Sequence, residues 1–162
     1  PVGVTGGTGL VNNIPAMEVN LTSSQVLTHD TWMRIDFNNV VYSNPAGLYT
    51  TGNNNGFFPE VAGKYWISCG VHFQNSGNNL RQCVLNLAIG NGSSENHSMT
   101  LDNVPHTITY SRMYNNYSAI VELSATEKLQ VFALAYSSAS GTFNASGQTQ
   151  SSTHFSAFRI GV

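Results

Sequence analysis

Charge is what this chain lacks most. Only 9% of its 162 residues are Asp, Glu, Lys or Arg, and lysine occurs at Lys64 and Lys128 alone. A protein that grips nucleic acid needs a basic stripe to displace counterions, and no such stripe is present. There is no acidic tail either. No apolar run approaches the roughly 20 residues of a spanning helix, so membrane insertion is not expected. No window keeps helical periodicity. Cysteine is scarce as well. Cys69 and Cys83 stand alone, without histidines at metal-ligand spacing, which argues against a structural zinc site.

Catalytic signatures are also missing. His29, His72, His97, His106 and His154 form no H-x-H or H-E-x-x-H pattern. There is no G-x-S-x-G, P-loop or dinucleotide fingerprint. No two carboxylates are close enough in sequence to suggest paired acid and base. The chain reads as non-enzymatic, with no cofactor and no metal.

What is there is apolar and neutral polar. A hydrophobic content of 41% excludes a disordered composition. Polarity comes from Asn, Ser and Thr: Thr and Ser suit the solvent faces of strands, Asn and Gly suit turns. So little charge is a solubility liability for a lone monomer and favours an assembled particle.

The clearest pattern runs from Gly56 to Phe73. Tyr65, Ile67, Cys69, Val71 and Phe73 alternate over a length that predicts one long, half-buried strand. Further strands are expected at 15–21, 32–37, 82–89, 107–112, 117–123, 129–136 and 153–160, with 25–27 a short strand or turn. Turns are expected at 44–47, 51–56, 74–79 and 90–92, and at Asn115-Asn116. The piece from 93 to 105 is irregular, and 137–152 reads as a long Gly/Ser/Thr loop. Many short strands with no fixed repeat predict a β-sandwich or jelly roll.

Strand parity assigns individual side chains. Cys69 and Cys83 share the parity of core aliphatics, so they read as small buried hydrophobes in preference to a disulfide. His72 and His154 fall opposite the core. In the last strand, parity sends Phe158 and Ile160 inward and leaves Phe155, Ala157 and Arg159 on the other face, unless a bulge reverses it. After Lys128 the apolar residues occupy both faces, so this strand is either covered on both sides or exposes an aromatic patch. Phe143 lies amid Gly, Ser, Thr and Asn. It reads as a recognition anchor or as a pin that folds the loop back onto the sheet.

Five blocks, in order and at matching spacing, resemble the globular heads of the complement C1q/TNF-like family. The Gly56–Phe73 block resembles "G-x-F-x-x-x-V-x-G-x-Y-x-F". Phe37 to Asn44 is similar to "F-D-x-V-x-x-N". Leu85 to Gly92 is similar to "V-x-L-x-x-N-G", and Ser118 to Leu134 to "S-x-x-x-x-L-x-x-G-D-x-V-x-L". Ser152 to Ile160 resembles the closing "S-T-F-S-G-F-L-L". Departures are Thr126-Glu127 in place of Gly-Asp, and Ala157 in place of Gly.

The resemblance implies a ten-stranded all-β jelly roll of two sheets, assembled as a homotrimer. Residues 1–13 carry four Gly and no sustained period and read as a linker following an upstream stalk or domain, with the head over 14–162. The resemblance places the face outside the closing strand around the threefold axis. Trp66, His72, His154, Phe155 and Arg159 become the expected trimer interface. The distal loops would then meet a host cell-surface glycan or protein, with Asn53, Asn54, Asn78, Asn79, Asn96, Phe143 and Asn144 as candidate contacts. The Asn/Thr/Ser-rich, Lys-poor composition resembles heads at the tips of bacteriophage tail fibres and other virion appendages. Virion location is therefore expected. The alternatives are a structural trimerisation cap or capsid decoration, and a secreted C1q-like recognition or signalling ligand.

Overall fold

A computed structural model describes residues 15–52, 55–75, 77, 80–90, 95–101, 111–137, 141–147 and 153–161, with the backbone alone for 95–101. The expected linker over 1–13 lies outside the described residues, as do Asn53, Asn54, Asn78, Asn79 and the 107–110 part of an expected strand.

The described residues form thirteen β-segments: β1 (Ala16–Asn20), β2 (Gln25–Thr28), β3 (Met33–Arg34), β4 (Asn39–Asn44), β5 (Tyr49–Thr50), β6 (Gly56–Phe57), β7 (Gly63–Gln74), β8 (Leu80–Gly90), β9 (Glu95–Leu101), β10 (Arg112–Leu123), β11 (Lys128–Ser137), β12 (Thr142–Ala145) and β13 (His154–Gly161). Three of these are two residues long, which leaves ten of four or more. They build two antiparallel sheets. The larger has seven strands in the order β2-β12-β7-β13-β1-β4, with β10 on the free side of β7. The smaller has six in the order β5-β6-β11-β8-β9, with β3 also on β11. This is the expected jelly-roll sandwich.

The core lies between the sheets. Tyr65, Ile67, Cys69, Val71 and Phe73 of β7 all point into it, because alternate side chains of a strand share one face. From the smaller sheet, Cys83, Leu85 and Leu87 of β8 meet Leu129, Val131, Ala133 and Ala135 of β11. Both thiols are buried and free. Burial pushes Cys69 up to about 12 and raises Cys83 as well, so neither supplies a thiolate at neutral pH.

One end of the core is aromatic. Phe155 packs 6.0 Å from Phe37, 6.4 Å from Tyr49 and 6.4 Å from Phe57. Beside it a polar network ties the 49–55 turn to β11 within the smaller sheet. The Tyr49 hydroxyl donates to Asn55 Oδ1, Asn55 Nδ2 donates to the Phe37 carbonyl at 3.0 Å, and Gln130 Nε2 donates to the Asn55 carbonyl. Asn55 is 1% exposed, and its amide is satisfied as a buried polar group must be. Burial, aided by the Asp36 carboxylate, drives the Tyr49 phenol well above its ordinary pKa.

Several expectations are corrected. Phe155 and Ala157 point inward, and Phe158 and Ile160 are exposed, the reverse of the parity assigned from sequence. The cause is register: Phe155 faces Cys69 and Ala157 faces Ile67 across the ladder, and both partners are core residues. Asn115-Asn116 is no turn but the middle of β10, in unbroken register with β7. Asn115 Nδ2 donates to the Cys83 carbonyl, so the side chain is satisfied within the sandwich. The segment from 93 to 105 contains β9, and 137–152 contains β12. Of 32–37 only Met33–Arg34 forms a strand, although the Ile35 N–H donates to the Val131 carbonyl at 2.8 Å and Ile35 and Phe37 are buried as their parity requires. On β11, Leu134 is buried on the face away from the core and Phe132 and Tyr136 are half-buried there, so of the two readings this strand is the covered one.

The two described ends meet. Arg159 donates its backbone N–H to the Pro15 carbonyl at 2.9 Å. The opposite pole carries the end of β7, the starts of β8 and β10, and the 29–32 connection.

Candidate functional site

The outward face of the larger sheet is the site the register assembles. Directly opposed residues of an antiparallel ladder share a face, so transverse rows can be read across the strands. One row is Ile120, Trp66, Phe158 and Ala16. The next is Ser118, Ser68, Ser156, Glu18 and Tyr42. The third is Asn116, Gly70, His154 and Asn20. The fourth pairs Tyr114 with His72.

The first row is apolar and open. Ile120 is 62% exposed and Phe158 41%. Trp66 is half-buried and stacks on Phe158 with ring centroids 5.0 Å apart and planes tilted by 34°. Ile160 continues the patch along β13. Each such side chain gains about 1.5–3 kcal/mol when fully buried. In the serine row, Ser118 donates to Ser68, Oγ to Oγ, at 3.1 Å.

The third and fourth rows form a notch over Gly70. A Cβ added there would run into the Tyr114 hydroxyl and come within 2.8 Å of His154 Cε1. Glycine is what lets Tyr114 and His154 lie flat on the sheet. Beside them His72 Nδ1 is buried without a hydrogen-bond partner. Burial and the nearby Arg112 guanidinium both lower the His72 pKa, so the ring stays neutral near pH 7.

Of the expected interface residues, the fold brings Trp66, His72 and His154 onto this one face. Phe155 is a correction, since it is fully buried in the aromatic core. Arg159 is half-buried, pairs with Tyr65 across the ladder, and its Nε donates to the Ala62 carbonyl at 3.1 Å. Sequence reasoning missed Phe158, Ile120, Ile160 and Tyr114. The signal for Ile120 and Tyr114 was present, because both share β10 parity with Asn116 and Ser118.

The expected recognition loops are also revised. Phe143 is 1% exposed, pairs with Leu27 in the sheet and packs against His29 at 6.4 Å. It is the pin and not the anchor. Asn144 is exposed but sits on β12, opposite Val26. Asn96 lies within β9 and not in a loop. Among the described residues, no group of three or more His, Cys, Asp or Glu is placed to hold a metal ion. No helix there is long and apolar enough to cross a membrane.

Comparison with solved structures agrees with this sandwich. The Eiger TNF of S. frugiperda superposes with a TM-score of 0.63 at 12% identity, covering 91% of this chain and 92% of that one. The globular domain of the zebrafish complement 1qA protein superposes with a TM-score of 0.58 at 13% identity, covering 91% and 98%. The fold is C1q/TNF-like. No family model matches the sequence, and no curated protein matches it. At these identities the likeness is one of architecture, and function has to be argued from this chain's own surface.

Proposed function

We propose that this chain is the homotrimeric, non-enzymatic binding head of a virion appendage such as a bacteriophage tail fibre, attaching to a host cell-surface receptor. The observation that carries the reading is the open apolar row Ile120, Trp66 and Phe158 on the larger sheet. A face of this kind is an interaction surface when it is contiguous, and the C1q/TNF-like architecture supports a trimer. Assembly also answers the shortage of surface charge. Binding is favoured over catalysis because the cysteines are buried with raised pKa values. The virion context is supported by the neutral polar, Lys-poor composition.

Two measurements test this. Multi-angle light scattering should give three chains per particle at micromolar concentration. Fluorescently labelled protein should adsorb to a subset of a panel of bacterial isolates. A stable monomer would refute the trimer, and adsorption to none of the isolates would refute the phage attachment role.

A further inference from the structure

We infer that the 29–32 connection, at the pole opposite the described ends, is a carbohydrate-binding site whose platform is the indole of Trp32. This rests on the reading of the chain as a binding head and supplies its ligand class.

Trp32 is 41% exposed. All the other large hydrophobics exposed among the described residues belong to strands of the larger sheet: Val26, Val40, Val41, Tyr42, Tyr114, Ile120, Phe158 and Ile160. Trp32 precedes β3, which pairs with β11 in the smaller sheet. Assembly through the larger sheet therefore leaves it open. Ile35 and Phe37 supply the core side chains of this stretch, and Trp32 is outside that buried cluster.

The connection is held on both sides of the indole. His29 donates its N–H to the Gly141 carbonyl and Asp30 to that of Ala135, both at 3.1 Å. His29 Nδ1 accepts from the Ser137 N–H at 3.3 Å, and the His29 ring meets Tyr136 edge-on at 5.9 Å. On the far side, Met33 packs against the core and its sulfur lies 3.1 Å from the Thr28 nitrogen. Asp30 holds a left-handed backbone with φ of 51°, a turn conformation that Asp tolerates better than most side chains. The indole is presented on a preorganised support, and this lowers the ordering cost of binding.

The surroundings select a sugar over a protein. A protein hot spot sits within a ring of other contacts that exclude water. Trp32 follows the polar run His29-Asp30-Thr31, and both Asp30 and Thr31 are exposed. A pyranose offers a C–H face that packs on the electron-rich indole and hydroxyls that donate to acceptors at its rim. The exposed Asp30 carboxylate supplies acceptors. The Thr31 hydroxyl donates to the His29 carbonyl at 3.1 Å, which leaves its oxygen lone pairs for the ligand.

The probe is an array of bacterial surface polysaccharides and their oligosaccharide fragments, read with the assembled wild-type protein, Trp32→Ala, Trp32→Phe and Asp30→Asn. Wild type should bind a defined subset of spots. Trp32→Ala should weaken that binding about tenfold or more. Trp32→Phe should recover most of it, and Asp30→Asn should weaken it less than Trp32→Ala. Light scattering and melting temperature should stay at wild-type values, because the indole is outside the core. Unchanged array binding and cell adsorption by Trp32→Ala overturns the site while leaving the head reading intact. Adsorption that resists periodate but not protease, with an empty array, overturns the sugar assignment in favour of a protein receptor. A wild-type protein that binds neither array nor cells overturns both readings.

Discussion

The outward faces of the two sheets are built on different terms. The smaller sheet turns Val84, Ala88, Gln130 and Leu134 away from the core, yet each is at most 7% exposed. The larger sheet turns Ile120, Phe158, Ile160 and Tyr114 outward and leaves every one of them more than 40% exposed. Both faces carry apolar side chains, but among the described residues those of the larger sheet are the more open to water. Water-facing apolar area of that kind is removed by association, and the chain has little charge with which to compensate it otherwise. The contrast teaches that apolar residues on both sides of a strand do not by themselves mark an interface. Exposure does, and exposure is a property of the assembled sandwich.

The strongest challenge to this contrast is to place a charge on the open face. Phe158→Asp, which sits beside Trp66, should convert the proposed trimer to monomer across the micromolar range while the isolated fold survives. Sedimentation velocity reads the outcome. Arg81→Ser, an exposed change on the smaller sheet, should leave the trimer intact. Equal behaviour of the two variants would show that the open apolar row is not the assembly surface.

Phe155 separates core from interface within a single strand. Phe155→Ala removes a ring in contact with Phe37, Tyr49 and Phe57 and should cost about 3–5 kcal/mol of fold stability. The loss should appear in chemical denaturation of the monomer made by Phe158→Asp, where no subunit contact remains to be lost.

The Gly70 notch is a finer test. Gly70→Ala forces the Tyr114 hydroxyl and His154 aside and should cost about 1–3 kcal/mol in thermal denaturation. Tyr114→Phe removes the first atom in the way, so the double variant should recover part of that loss. Strict additivity would mean that Tyr114 does not occupy the notch.

The smallest effect is the pH response. The folded-state pKa of His72 lies below its ordinary value of 6.5, so below that pH the unfolded chain binds the extra proton first. Stability from this group is complete above about 6.5 and is lost as pH falls from there through the lowered value. Melting temperatures between pH 8 and 5 should show the decline in wild type and a shallower one in His72→Gln. Parallel curves would rule His72 out as its source.

Much of the sandwich could be read before any coordinates. The alternation from Tyr65 to Phe73 names its own core face, because the intervening residues Trp66, Ser68, Gly70 and His72 are mixed and the inward set is uniformly apolar. The same holds for Cys83, Leu85 and Leu87. The loops were harder. Phe143 sits in a run of small polar residues that carries no periodicity, and only its pairing with Leu27 makes it a strand residue. Asn115-Asn116 has turn chemistry, but a ladder of twelve residue pairs between β10 and β7 outweighs a local preference worth far less than the pairing.

The sequence by itself determined that the chain would be all-β, charge-poor and built on a long central strand, since period and composition are local properties. It could not determine which face of β13 was the core. Phe155 and Ala157 compete there with Phe158 and Ile160, and both sets are apolar enough to be buried. The choice falls to register, where a shift of one residue exchanges the two faces completely. In the folded protein Phe155 is set against Cys69 and Ala157 against Ile67. That pairing closes the aromatic core, and it sends Phe158 out beside Trp66.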